Sequence, residues 1–183
     1  MRELSLHILD LIENSIRAGA STLMITLIED EKRDLLKIIV EDDGPGLSVS
    51  PEVALDPFYT TKDGKRTGLG LSLFRGAAEQ AGGRLVLRES ALGGLAVEAT
   101  MQLNHPDRTP LGDIAATVSS VACTNPEIDL CCRFHVGGQE CIVQVSDVAK
   151  EFPIGRRSGL AVARRVSERI KAGLEAVGVK SWS

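Results

Sequence analysis

Asp10 and Asn14 stand four residues apart in LDLIENSIRAG, so on a helix they share one face. A carboxylate with a carboxamide one turn later can hold a magnesium ion and orient a water. Taken alone the pair says little, because polar residues at helical spacing usually form a solvated face. A second carboxylate, Asp42, ends the apolar run IIVED and is followed by Gly44, Pro45 and Gly46. Glycines let backbone approach a planar ring, and a carboxylate accepts a hydrogen bond from an exocyclic amine. An ordinary strand-ending turn has the same composition. Further on, DPFYTTK (56–62) supplies hydroxyls and one ammonium group, Thr61 and Lys62 among them. GKRTGLGLS (64–72) then carries Thr67, Gly68, Leu69 and Gly70 straight into a helical pattern. Free backbone N–H groups at such a helix start form an anion site suited to phosphates. The segment fits neither the P-loop, lacking a Gly-Lys-Ser/Thr triplet, nor the dinucleotide pattern G-x-G-x-x-G.

These residues need elements to hold them. Leu4, Ile8, Leu11, Ile12 and Ile16 recur at helical spacing, which predicts an amphipathic helix over 3–18. Glu3, His7, Asp10, Glu13, Asn14 and Arg17 are expected on its polar side, and Gly19 ends it. Residues 22–28 and 35–41 alternate like strands around a charged turn. The stretch from Asp42 to Thr67 is a long loop rich in Gly, Pro, Asp and Lys, and such loops are usually functional. A helix follows over 68–80, stopped by Gly82-Gly83, and then strands at 84–90 and 94–101.

NHPDRTPLGD (104–113) has two prolines and reads as a linker. Beyond it the pattern predicts a helix near 110–121, strands at 128–136 and 139–146 turning at Gly137-Gly138, and a helix over 158–176. The buried stripe of that helix is expected to be Leu160, Ala163, Val166, Ile170 and Leu174. Arg156, Arg157, Arg164, Arg165, Arg169 and Lys171 make the region locally basic, which reads as a solvated face, with a docking patch for an acidic protein as the alternative. All four cysteines lie here. A two-residue turn would put Phe134 opposite Cys141, with Cys132 on the same side. No C-x-x-C spacing exists, so buried small hydrophobes are the reading and an iron–sulfur or zinc site the alternative.

The chain has 183 residues, 43% hydrophobic and 25% charged, enough for one compact domain and a small appendage. Aromatics are 3%, so the core must be aliphatic. A net charge of -4 argues against non-specific nucleic-acid binding. No apolar run approaches the roughly 18 residues of a membrane span. The first ten residues have charges within their apolar stretch, unlike a signal peptide. Reduced thiols and a cytoplasmic location are expected.

In this order, the four segments resemble the GHKL superfamily of gyrase-type and MutL-type ATPases, Hsp90-like chaperones, histidine kinases and anti-sigma-factor serine kinases. DLIENSIRAGAS is similar to its N box and DDGPGL to its first glycine box. DPFYTTK and TGLGLS are similar to the lid segment and second glycine box of the bacterial kinases. AAEQAGGRLVLRES and GGLAVEATMQL resemble the closing strands. The likeness covers about residues 1–103. It implies an α/β fold, a two-layer sandwich of helices on a mixed sheet (the Bergerat ATP-binding fold). A linker at 104–113 and a small α+β extension at 114–183 would follow. It also implies ATP and magnesium as ligands. Asn14 would coordinate magnesium, Asp42 would accept from the adenine amine, and Gly44 and Gly46 would shape the adenine pocket. Thr61 and Lys62 would belong to the lid. Gly68 and Gly70, with Thr67 and Leu69 beside them, would hold the phosphates.

Asp10 takes the position of the catalytic glutamate in the ATPase branches. Aspartate is one methylene shorter, so its carboxylate falls roughly 1–1.5 Å back, a misplacement that can cost about 100-fold in rate. Glu13 lies on the helix flank. Nine residues precede Asp10, too few for a helical hairpin with a phosphoacceptor histidine, and His7 reads as a local polar neighbour. The expectation is a stand-alone regulatory ATP-binding protein of signal transduction. It would act in trans on a partner protein as a kinase or slow ATPase, with a homodimer left open and neither nucleic acid nor membrane as partner. The competing class is a non-catalytic ATP sensor or adaptor that binds a partner. MRELSLHILD and HPDRTPLGD also resemble small ATP-binding proteins associated with iron-only hydrogenase gene clusters, which would make that partner a redox or hydrogenase-type complex.

Overall fold

In helix α1 (Leu4–Arg17) the stripe of Leu4, Ile8, Leu11 and Ile12 is buried, as its period requires. Gly19, at φ +95°, follows in the left-handed conformation that favours glycine. The N-cap residue Glu3 gives no side-chain cap. Instead the N–H groups of Leu4 and Ser5 donate to the carbonyls of Pro110 and Leu111 at 2.9 and 2.7 Å. The 104–113 stretch thus supplies the acceptors that the first turn of α1 needs.

The computed structural model describes residues 3–56, 69–153 and 158–179. Among these, six strands form one sheet: β1 (Thr22–Asp30), β2 (Leu35–Asp42), β3 (Arg84–Glu89), β4 (Leu95–Gln102), β5 (Asp129–Val136) and β6 (Gln139–Gln144). Their order is β3-β4-β2-β1-β5-β6. β1 and β5 run parallel, and the other neighbours antiparallel. The helices are α1, α2 (Pro51–Ala54), α3 (Leu69–Gln80), α4 (Ile114–Thr124), α5 (Val145–Lys150) and α6 (Gly159–Ala176). α3, α1, α4 and α6 pack side by side in that order. The α/β two-layer sandwich on a mixed sheet is therefore the observed architecture.

Burial alternates along the strands because successive side chains point to opposite faces. Leu23, Ile25 and Leu27 of β1 face the helices beside Ile38 and Val40 of β2 and Val97, Ala99 and Met101 of β4. Each such side chain contributes roughly 1.5–3 kcal/mol when fully buried. The other face carries charge, with Lys37 paired to Glu98 at 2.8 Å and Arg88 reaching Glu98 and Glu41. These pairs are only partly exposed, with Glu41 buried beneath Arg88.

The strands of the C-terminal stretch join this sheet. Leu130, Cys132 and Phe134 of β5 are the register partners of Leu23, Ile25 and Leu27, and all six are buried. The same hydrophobic row runs from β4 through β1 into β5. The β5–β6 turn is the two residues Gly137 and Gly138, at φ +58° and +83°, which matches the right-handed twist of the strands.

Several details differ from the sequence reading. α4 starts at Ile114, where the Asp113 side chain accepts from Ala116 N–H at 2.8 Å, so the helix begins only after the linker. α2 and α5 have four and six residues, too short to show a period. His7 is buried rather than solvated, and its ring stacks on Phe74 of α3 at 5.3 Å and 9°. α3 lies against that side of α1 and turns a nominally polar position inward. Leu160 is 74% exposed. The buried stripe of α6 is Val162, Ala163, Val166 and Ile170, and its first-turn place belongs to Gly159, not Leu160. A Cβ on Gly159 would lie 2.9 Å from the Cys123 carbonyl oxygen, so the close approach of α6 to α4 requires glycine.

Candidate functional site

Asp42, the last residue of β2, is buried, and its carboxylate is held from three sides. Oδ1 accepts the backbone N–H groups of Gly44 and Leu95, each at 3.0 Å. Oδ2 accepts the Ser15 hydroxyl at 2.5 Å. The N–H of Gly94 donates to the Asp42 carbonyl at 3.0 Å. This crowding leaves no room for side chains. A Cβ on Gly94 would lie 2.2 Å from Asp42 Oδ1 and 2.6 Å from Gly44 N, and one on Gly44 would lie 3.2 Å from the same Oδ1. Gly46, at φ +74°, turns the chain over the cleft in a conformation that side chains resist.

The neighbouring Asp43 has a different task. Its carboxylate accepts the N–H groups of Ser21 and Thr22 at 2.8 and 2.9 Å and the Ser21 hydroxyl at 2.7 Å. These bonds, the Thr22 N–H first, hold the carboxyl well below the usual carboxylate range. Asp43 ties the α1–β1 connection to the end of β2 and so fixes where Asp42 points.

Asp42 lies at one side of a cleft of about 490 Å³. Leu11, Val40, Leu47 and Val97 supply apolar wall, and Asn14, Arg17 and Gly70 contribute to the polar side. Gly70 stands in the first turn of α3. A Cβ there would lie 3.8 Å from Asn14 Nδ2 and 3.9 Å from Asp10 Oδ2. The start of α3 therefore meets the Asp10–Asn14 face of α1. Asn14 is half-buried and its Oδ1 accepts from the Arg17 guanidinium at 3.0 Å, while Asp10 is exposed.

The structure thus brings Asn14, Asp42, Gly46 and Gly70 into the lining of one cleft, with Gly44 bonded to Asp42 and Asp10 beside Gly70. Leu69 opens α3. Thr61, Lys62, Thr67 and Gly68 lie outside the described residues. Sequence reasoning missed Ser15, Arg17 and Gly94. Ser15 and Arg17 flank the Asn14 position on the same helix, and that proximity was the available signal. Gly94 falls at the start of the strand expected over 94–101, where nothing in the sequence ties it to the site. The expected facing of Phe134 and Cys141 is present, with Cys132 paired to Val143 on the same side. Burial pushes the Cys131, Cys132 and Cys141 thiols up, which disfavours thiolate.

The arrangement fits a nucleotide. The cleft volume lies within the range of small-molecule sites. A buried carboxylate lines a cleft with apolar walls, and the start of a helix lies near a carboxamide and a carboxylate. Magnesium bound with phosphates needs one or two protein oxygens, and the Asn14 carboxamide offers one.

A profile of the family described as histidine kinase-, DNA gyrase B-, and HSP90-like ATPase matches residues 2–105. The sensor protein kinase CarS of Pseudomonas aeruginosa strain PAO1 is 34% identical over 101 residues, which is 54% of this chain and 22% of that protein. The sensor histidine kinase CpxA of Escherichia coli K12 is 33% identical over 92 residues, 47% of this chain and 20% of that protein. The chain thus spans about a fifth of these relatives' length. A crystal structure of the N-terminal domain of a DNA repair protein superposes with a TM-score of 0.52 at 15% identity. That likeness is one of fold. It covers 78% of this chain and 52% of the other, a longer stretch than the family match.

Proposed function

The chain belongs to the histidine kinase-, DNA gyrase B- and HSP90-like ATPase family, and we propose that it binds ATP with magnesium in the α1–α3 cleft and acts on a partner protein. One observation carries the reading. The buried Asp42 carboxylate lines the same cleft as Asn14 and Gly70, and Gly70 in the first turn of α3 stands against Asn14 and Asp10.

Asp42 would accept the adenine amine, Gly44 and Gly94 would make room for its carboxylate, and Gly46 would shape the adenine pocket. The N–H groups at the start of α3 would hold the phosphates, helped by the helix dipole. The Asn14 carboxamide would be the metal ligand, with Arg17 orienting it and adding positive charge. ATP with magnesium supplies the transferable phosphoryl group when bound. Asp10 projects from α1 beside these groups and would take the proton of the attacking group, a partner side chain or a water. Its short reach favours slow turnover, so trans phosphorylation or slow hydrolysis is the reaction class.

Asp10 also provides the test. Asp10→Asn should retain ATP binding and lower phosphate release or transfer by roughly 10²–10⁴-fold, the usual share of a general base. Asp10→Glu should raise hydrolysis if reach is the limit. Labelled ATP, followed with and without co-purifying proteins, measures both. If the unaltered protein shows no turnover in either setting and Asp10→Asn leaves nucleotide binding and response unchanged, the catalytic reading fails and an ATP sensor takes its place.

A further inference from the structure

We propose that Ser15 determines which purine edge the cleft accepts, by committing its one proton to Asp42. The inference rests on the adenine-nucleotide reading above. A carboxylate has about four lone-pair positions. Gly44 and Leu95 N–H groups occupy Oδ1, and the Ser15 hydroxyl takes one position on Oδ2. Among the described residues no further donor takes the remaining position on Oδ2, and both Ser15 and Asp42 line the cleft.

A serine hydroxyl has one proton and two lone pairs. With the proton directed at Asp42, Ser15 offers the cleft acceptors only. The two side chains together present acceptors and no donor. An exocyclic amine placed there finds a partner. A keto oxygen in the same place meets acceptor against acceptor and is left unsatisfied, which is the costly case in a buried site. Ser15 is 8% exposed and Asp42 6%, so bulk water does not relieve that mismatch. Without the hydroxyl, Oδ2 is free to take a water whose second proton bridges to a keto oxygen, and the distinction weakens. Ser15 is thus a positioning residue that acts through Asp42.

The test is the affinity of the full chain for three triphosphates that differ in the purine six-position: ATP with an amine, purine riboside triphosphate with hydrogen, and inosine triphosphate with a keto group. Ser15→Ala should weaken ATP about tenfold, the scale of one hydrogen bond to a charged group, and leave purine riboside triphosphate within about twofold. The preference for ATP over inosine triphosphate should fall by at least the same factor. Ser15→Thr, which retains the hydroxyl, should restore it. The melting midpoint without nucleotide is measured for each variant. If Ser15→Ala weakens all three ligands alike in step with a lower midpoint, Ser15 merely braces α1 against β2 and the proposal is overturned. The proposal is also overturned if the unaltered protein binds ATP and inosine triphosphate equally. If it binds none of the three, the adenine-nucleotide reading itself fails.

Discussion

Gly94 carries the most stringent steric demand around Asp42. Its Cβ position is occupied by Asp42 Oδ1 and by the Gly44 backbone, and one of those neighbours cannot rotate away. Gly94→Ala should therefore displace the Asp42 carboxylate and weaken ATP binding by about 100-fold or more, the scale expected when a key contact shifts by about 1 Å. Titration calorimetry would read this directly, and an alanine that left affinity within twofold would show that the carboxylate is not the anchor. The contrast with Asp42 itself explains what was legible. Asp42, Gly44 and Gly46 are contiguous, and Asp10 and Asn14 share a helical face, so local rules reveal them. Ser15 and Gly94 meet Asp42 from 27 and 52 positions away along the chain, and no spacing rule connects such residues.

The elements position these residues through a few hydrogen bonds. Asp43 clamps the entry to β1, and its carboxyl is held well below the usual range by the Thr22 and Ser21 donors. A depressed pKa in the folded state gives stability that is present above the unfolded value of about 3.9 and is lost as pH falls below it. Asp43→Asn should therefore melt lower than the unaltered protein at pH 7, and the gap should close as pH drops below about 4. Melting curves of both proteins across pH would check this, and a gap independent of pH would show that the charge is not what holds the turn. Element types followed from periodicity: the strands and long helices ended within a few residues of their expected bounds. α2 and α5 were hidden because a single turn of helix has no period to read. His7 and Leu160 fell on the wrong side because α3 and α4 decide what is buried, and a helical wheel does not include its neighbours.

At the scale of the whole molecule, β5 and the 104–113 stretch bind the C-terminal residues to the same elements that carry the site. β5 covers the edge of β1, and Pro110 and Leu111 accept from the first turn of α1. A chain ended after Leu103 should lose both. It should expose the β1 edge as a template for aggregation and melt roughly 10 °C lower or more, if several kcal/mol are lost. Differential scanning calorimetry with size-exclusion chromatography would test this, and an unchanged midpoint would show that the C-terminal part adds nothing to the site's scaffold. The sequence marked β5 and β6 as a hairpin but held no signal for which strand β5 would join. Parallel pairing between distant strands is set by the shared hydrophobic row of Leu23, Ile25 and Leu27 with Leu130, Cys132 and Phe134, which becomes visible only in register. Among the described residues no helix is long and apolar enough to cross a membrane.

The proposed site seats an adenine nucleotide on Asp42 in the α1–α3 cleft, with magnesium at Asn14. Its most direct test is titration calorimetry of the full chain with non-hydrolysable ATP and GTP analogues, with and without magnesium, alongside Asp42→Asn. The ATP analogue should bind, magnesium should strengthen it, and the GTP analogue should be weaker. Asp42→Asn should reduce affinity for the ATP analogue by about 10- to 100-fold, as expected for a hydrogen bond to a charged group. Equal affinity for both analogues, or an Asp42→Asn protein that binds ATP as the unaltered chain does, would contradict it.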